Sequence, residues 1–104
     1  MKSIVDSDGV LRCAHCEDSY LHRTETRHYL RVEDAKVGTL IVTTTDGGYT
    51  KENASMICNP SARRSGLTVE FWCEVCGEST MLSLSQHKGV TLVNLYPAPY
   101  IACD

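Results

Sequence analysis

Two Cys-x-x-Cys units, Cys13-Ala14-His15-Cys16 and Cys73-Glu74-Val75-Cys76, constrain this chain more than anything else in it. Two residues between cysteines let a tight turn aim both sulfurs at one point. Two such turns face to face supply the four tetrahedral thiolates that a structural zinc ion takes. Gly77, directly after Cys76, suits the positive φ that swings backbone N–H groups towards sulfur. Glu17 stands at the matching place after Cys16, a departure from the usual glycine. The separation is long: 56 residues lie between Cys16 and Cys73, where a common ribbon has about 15–20. Tripling a loop adds only about 1 kcal/mol of closure entropy, against roughly 10–16 kcal/mol of apparent binding free energy for structural zinc. One structural zinc ion on Cys13, Cys16, Cys73 and Cys76 is therefore expected, with strands in the insert.

Other uses of these thiols fit less well. Iron is accepted by the same cage. A redox Cys-x-x-Cys needs a strand-to-helix setting, and both units here sit in strand or turn sequence. A disulfide framework needs an oxidising compartment. Four thiolates leave no open metal position for a water molecule. No Ser/His/Asp order, paired carboxylates or Gly-rich phosphate loop stands out, so no catalytic residue is assigned and an enzyme is not expected. His15 is an alternative ligand but reads as an exposed imidazole. Cys58 and Cys103 read as one partly buried thiol and one tail thiol, with a second metal site as the alternative.

The pattern along the chain is that of an all-β protein. A first strand over residues 3–12 turns at Asp8-Gly9. Residues 20–32 read as a strand ending near Glu33, with Tyr20, His22, Thr24 and Thr26 on one face. Gly38 to Thr45 is a β-branched run closed by Asp46-Gly47-Gly48. Residues 46–66 read as a long loop, with a short extended piece over Ser55–Cys58. Leu67, Val69 and Phe71 alternate with polar neighbours, as do Leu82 and Leu84. Gly89 marks a turn before a strand over Val90–Tyr96, and Pro97 begins a tail over 97–104. The expectation is one domain over 1–104: an antiparallel sheet, meander-like, carrying a four-cysteine zinc ribbon formed by two knuckles. Trp72 reads as a packing anchor over the zinc, with a base-stacking platform as the sharper alternative.

The chain has 104 residues, 42% of them hydrophobic, a formal charge of −3 and a pI near 5.7. That balance disfavours a generic phosphate-backbone binder. No run of 18 apolar residues and no apolar leader core occurs, so a cytoplasmic protein without membrane contact is expected. Partner-binding candidates are Arg63 and Arg64 in the long loop and His87 and Lys88 in the last turn. A protein partner is the first expectation and nucleic acid, through those four residues, the second. The chain is expected as a monomer or as a homodimer paired through sheet edges.

Three segments carry a resemblance: Asn59-Pro60-Ser61-Ala62-Arg63-Arg64, Phe71-Trp72-Cys73-Glu74-Val75-Cys76 and Gln86-His87-Lys88-Gly89. Together they resemble a group of small zinc-ribbon-like proteins of bacteriophages, prophages and actinobacteria, which pair an early Cys-x-x-Cys with a late Phe-x-Cys-x-x-Cys and end near a Gln-His-Lys-Gly turn. The likeness spans residues 10–93 in outline, and its motifs concentrate after residue 58. It implies a phage-type accessory protein acting in the bacterial cytoplasm, and no reaction.

Overall fold

The alternating and β-branched runs become six strands in a computed structural model that describes residues 8–98: β1 (Leu21–Leu30), β2 (Val37–Thr44), β3 (Tyr49–Ser55), β4 (Gly66–Cys73), β5 (Ser79–His87) and β6 (Val90–Ala98). They form one antiparallel sheet of order β3-β2-β1-β4-β5-β6. It consists of two three-stranded meanders, β1-β2-β3 and β4-β5-β6, sewn together where β1 pairs with β4. The described residues contain no helix, and hence none long and apolar enough to cross a membrane.

Register explains the apolar alternation. Leu67, Leu84 and Val93 lie in one cross-strand row and Val69, Leu82 and Leu95 in the next, all on one face of the sheet. The β5–β6 hairpin turns through two residues, Lys88 (φ 50°) and Gly89 (φ 82°), the twist that suits a tight hairpin. Pro97 lies inside β6 opposite Thr80 rather than opening a tail. As β6 is an edge strand, the missing N–H can face outward at no cost to the ladder.

Further sequence expectations change. Residues 49–55, expected in a long loop, form the edge strand β3, every residue of which except Ala54 is exposed. It is held by ladder bonds to β2 rather than by a buried face, so it shows no alternation. The extended piece therefore precedes Met56 instead of covering Ser55–Cys58. In β1 a bulge between Arg23 and Glu25 shifts the register. Thr26 then pairs with Val69 and Arg23 with Phe71, so Thr26 shares a face with Arg23 and not with His22. Of the strand expected over 3–12, residues 3–7 lie outside the described residues. The remainder turns at Asp8-Gly9 (Gly9 φ 78°) and keeps a single bridge residue, Leu11.

The connection from β3 to β4, residues 56–65, runs from the edge of the sheet back to its middle. Met56 leads it onto Tyr29 and Leu40, forming the buried core cluster, with Val42, Ala54 and Cys58 packed around it. Asn59 organises the rest of the connection. Its Nδ2 donates to the Arg64 carbonyl (2.7 Å) and its Oδ1 accepts from the Ser61 N–H (2.9 Å). The Ser61 hydroxyl in turn donates to the Gln86 carbonyl of β5 (2.8 Å). Gly66 sits beneath this turn, where a Cβ would meet Asn59 Oδ1 and the Pro60 ring.

Candidate metal centre

The two knuckles are built alike. The Cys13 N–H donates to the Asp18 carbonyl (2.8 Å) and the Cys73 N–H to the Glu78 carbonyl (2.9 Å). The N–H after each second cysteine closes the turn, from Glu17 to the Cys13 carbonyl (3.0 Å) and from Gly77 to the Cys73 carbonyl (2.9 Å). Glu17 takes φ 65° and Gly77 φ 75°, so the residue that departs from glycine adopts the glycine-like conformation all the same. The first knuckle leads into β1 and the second joins β4 to β5. The β1–β4 pairing, in which Leu21 faces Cys73, brings the distant halves together.

The four sulfurs of Cys13, Cys16, Cys73 and Cys76 all lie within 4.8 Å of one another. The Cys13–Cys76 separation is 3.7 Å and the Cys16–Cys73 separation 3.6 Å. A tetrahedron with Zn–S of about 2.3 Å has edges of about 3.8 Å, so the set fits a tetrahedral thiolate site and could hold a metal ion. The inner sulfurs, on Cys13 and Cys73, are buried, whereas Cys16 and Cys76 face solvent.

Burial pushes the Cys13 thiol up. The N–H groups of Cys16 and His15, the Thr80 hydroxyl and Cys76 outweigh it and bring it down to about 6. At Cys16 the Asp18 N–H pulls downward, but burial and the sulfurs of Cys73, Cys76 and Cys13 push the thiol up to about 12. Cys76 is also raised: the Glu78 N–H opposes the rise, while burial and the neighbouring Cys73 and Cys13 drive it. The thiolate is thus favoured at Cys13 and disfavoured at Cys16 and Cys76, and a bound cation would favour it at all of its ligands.

Thr80 is the residue that sequence reasoning missed. Its fully buried hydroxyl accepts the Ala14 N–H (2.9 Å) and donates towards Cys13 Sγ (3.6 Å), so β5 holds the first knuckle in place. The signal was faint: a threonine seven residues after Cys73, at the start of a strand. The His15 N–H also points at Cys13 Sγ (3.3 Å). The His15 ring lies outside the sulfur cluster, is exposed as expected, and bonds through Nε2 to the Ser79 carbonyl (2.8 Å). Trp72 does not lie over the site. Alternation along β4 sends it to the face opposite Cys73, where it is 42% exposed beside His22, the ring centroids 6.1 Å apart.

The other candidates gather at the opposite end of the sheet, β4 running from Gly66 beside them to Cys73, about 23 Å away at ~3.3 Å per residue. Arg63 forms a two-point ion pair with Asp34 (2.6 and 2.9 Å), and Arg64 pairs with Glu33 (2.7 Å). The Arg63 guanidinium, by its hydrogen bond first and its charge second, holds the Asp34 carboxyl below the usual range. His87 and Lys88 occupy the exposed β5–β6 turn, at the end of β5 that the 56–65 connection touches through Ser61 and Gln86. Cys58 packs beside the core cluster, away from the sulfurs, and Cys103 lies outside the described residues. Comparison with protein-family models, with curated proteins and with solved structures yields no match to this chain.

Proposed function

We propose that the chain is a binding module stapled by one structural zinc ion, and that it works by docking onto another protein. The observation that carries this reading is the closed set of four sulfurs within 4.8 Å. A tetrahedral ion there has every position filled by thiolate and offers none to a substrate, which favours a scaffold over a catalyst. Zinc suits the cage because two knuckles of this shape satisfy its tetrahedral demand without redox chemistry. The metal pole also presents Tyr20 (60% exposed), Trp72 and Val75 (55% exposed) to solvent. Aromatic side chains displayed on a rigid frame are the usual anchors of protein interfaces. A protein partner is favoured over nucleic acid because Arg63 and Arg64 already hold Asp34 and Glu33 and the net charge is negative. In keeping with the sequence resemblance, the setting is a phage-type accessory role in the bacterial cytoplasm. Self-association, if it occurs, uses β6, the edge strand without a charged side chain.

Elemental mass spectrometry with thiol titration tests the staple. About one zinc per chain, with four thiols released and the knuckles unfolded on chelation, is the expected result. Metal-free folded protein with freely reactive cysteines would remove the reading. Affinity capture with Tyr20→Ala/Trp72→Ala as the control tests the docking. A saturable protein partner lost in the double variant is expected, and capture that the variant leaves unchanged argues against this surface.

A further inference from the structure

Among the described residues, Nε of Arg31 is the one buried side-chain polar atom without a hydrogen-bond partner. The rest of the guanidinium is committed to backbone. Nη1 donates to the carbonyls of Ala35 (3.3 Å) and Ala62 (3.1 Å), and Nη2 to the carbonyl of Ser61 (2.6 Å). Among the described residues no carboxylate bonds to it. Asp34 feels its charge but is held by Arg63. A partly buried cation with an orphaned donor is unusual, because such groups carry a desolvation cost until an acceptor arrives.

Arg31 also lines an open pocket of about 390 Å³ beside the connection from β3 to β4. Lys36 lines the same pocket, and among the described residues no carboxylate is paired with either cation. Ser55 adds a hydroxyl whose oxygen accepts the Ile57 N–H (3.3 Å), leaving its proton to donate. The remaining wall includes Met56, Ile57 and Ala62. The volume falls in the range of small-molecule sites and exceeds what an inorganic ion needs.

We propose that this pocket binds a small organic anion, its carboxylate or phosphate oxygens held by Lys36 and the Ser55 hydroxyl beside the Arg31 charge, and its apolar body lying on Met56, Ile57 and Ala62. The anion supplies the counter-charge that the two cations lack. Head group and body together set the class: an aromatic or short aliphatic acid, or a phosphate monoester. The site stands at the end of the sheet remote from the cysteines, so it does not rest on the metal reading.

The test is a two-dimensional NMR titration of the full chain, as purified with its metal, using benzoate, phenyl phosphate and inorganic phosphate, with sodium chloride at matched ionic strength as control. Saturable shifts of the Arg31 Nε–H and of the Ile57 and Ala62 amides are expected with benzoate, phenyl phosphate or both, and the preferred compound identifies the head group. Lys36→Gln is expected to weaken that binding about fivefold or more, through loss of one charge-assisted contact, and to leave the rest of the spectrum unchanged. Lys36 is used because Arg31 also holds the loop. Shifts that chloride reproduces, binding indifferent to Lys36→Gln, or inorganic phosphate binding as well as phenyl phosphate would overturn the proposal.

Discussion

Glu17 and Gly77 occupy one and the same position in the two knuckles, each just past a second cysteine, each at a left-handed φ, 65° and 75°. Glycine adopts that conformation freely, whereas an L side chain is strained by roughly 1–2 kcal/mol. Gly77→Ala is therefore expected to cost about 1 kcal/mol although nothing lies within 4 Å of the added Cβ. Glu17→Gly is expected to change stability in the opposite direction, by about 0.5 kcal/mol once the entropy of glycine is subtracted. Denaturant unfolding followed by Trp72 fluorescence reads both, and equal signs for the two variants would show that the knuckles are not equivalent.

Thr80 ties β5 to the first knuckle through one hydroxyl, so Thr80→Val keeps the shape and removes both hydrogen bonds. The Ala14 N–H then loses its acceptor and Cys13 Sγ a donor. A stability loss of about 1–3 kcal/mol is expected, with metal affinity falling about tenfold or more. Competition with a chromophoric chelator measures the affinity. Undiminished affinity would limit Thr80 to packing.

The Asp34–Arg63 pair makes stability depend on acid. The Asp34 pKa is lowered in the folded chain, chiefly by its hydrogen bond to Arg63. A lowered folded pKa means that the stabilisation is fully present above the ordinary aspartate value of about 3.9 and is lost as pH falls through the lower, folded value. Carbon-detected NMR titration of Asp34 is expected to give a midpoint below the ordinary value and to return towards it in Arg63→Ala. Because both partners are about half-exposed, added salt is expected to shrink the shift.

Gly66 opens β4 directly under the Asn59 turn. A methyl group there meets Asn59 Oδ1 and comes within 2.8 Å of Pro60 Cγ. Neither neighbour can yield, because Asn59 bonds to Ser61 and Arg64 and Pro60 is a fixed ring. Gly66→Ala is expected to cost about 1–3 kcal/mol by overpacking, measured by thermal unfolding. It should also shift the amide resonances of Ser61 and Arg64, whereas Gly47→Ala, in the open β2–β3 turn, should leave those amides alone.

An element is legible in the residues to the extent that it buries them. β4 and β5 announce themselves because Leu67, Val69, Leu82 and Leu84 must share a face. The cysteines announce the candidate metal site because a knuckle that aims two sulfurs at one point accepts few spacings. β3 stays hidden because Tyr49 to Ser55 buries almost nothing, so its strand is decided by its partner β2 and leaves no period of its own. The face of β1 misleads because a bulge at Thr24 breaks the alternation, and no residue pattern marks the bulge. The joining of the two meanders through β1 and β4 is a long-range pairing that short-range patterns do not encode. Arg63 and Arg64 look free in the sequence because Glu33 and Asp34 lie some 30 residues away along the chain.

The cysteine cluster and the β1–β4 seam close the same loop. Cys13 and Cys16 stand just before β1, Cys73 ends β4, and Leu21 pairs with Cys73 itself. That seam is the longest-range pairing of the sheet, so its ends must meet, at a cost in loop-closure entropy, before any ladder bond forms there. An ion captured by the four cysteines of the unfolded chain would already have made that encounter. Metal supply would then set how quickly this chain folds as well as how firmly it stays folded.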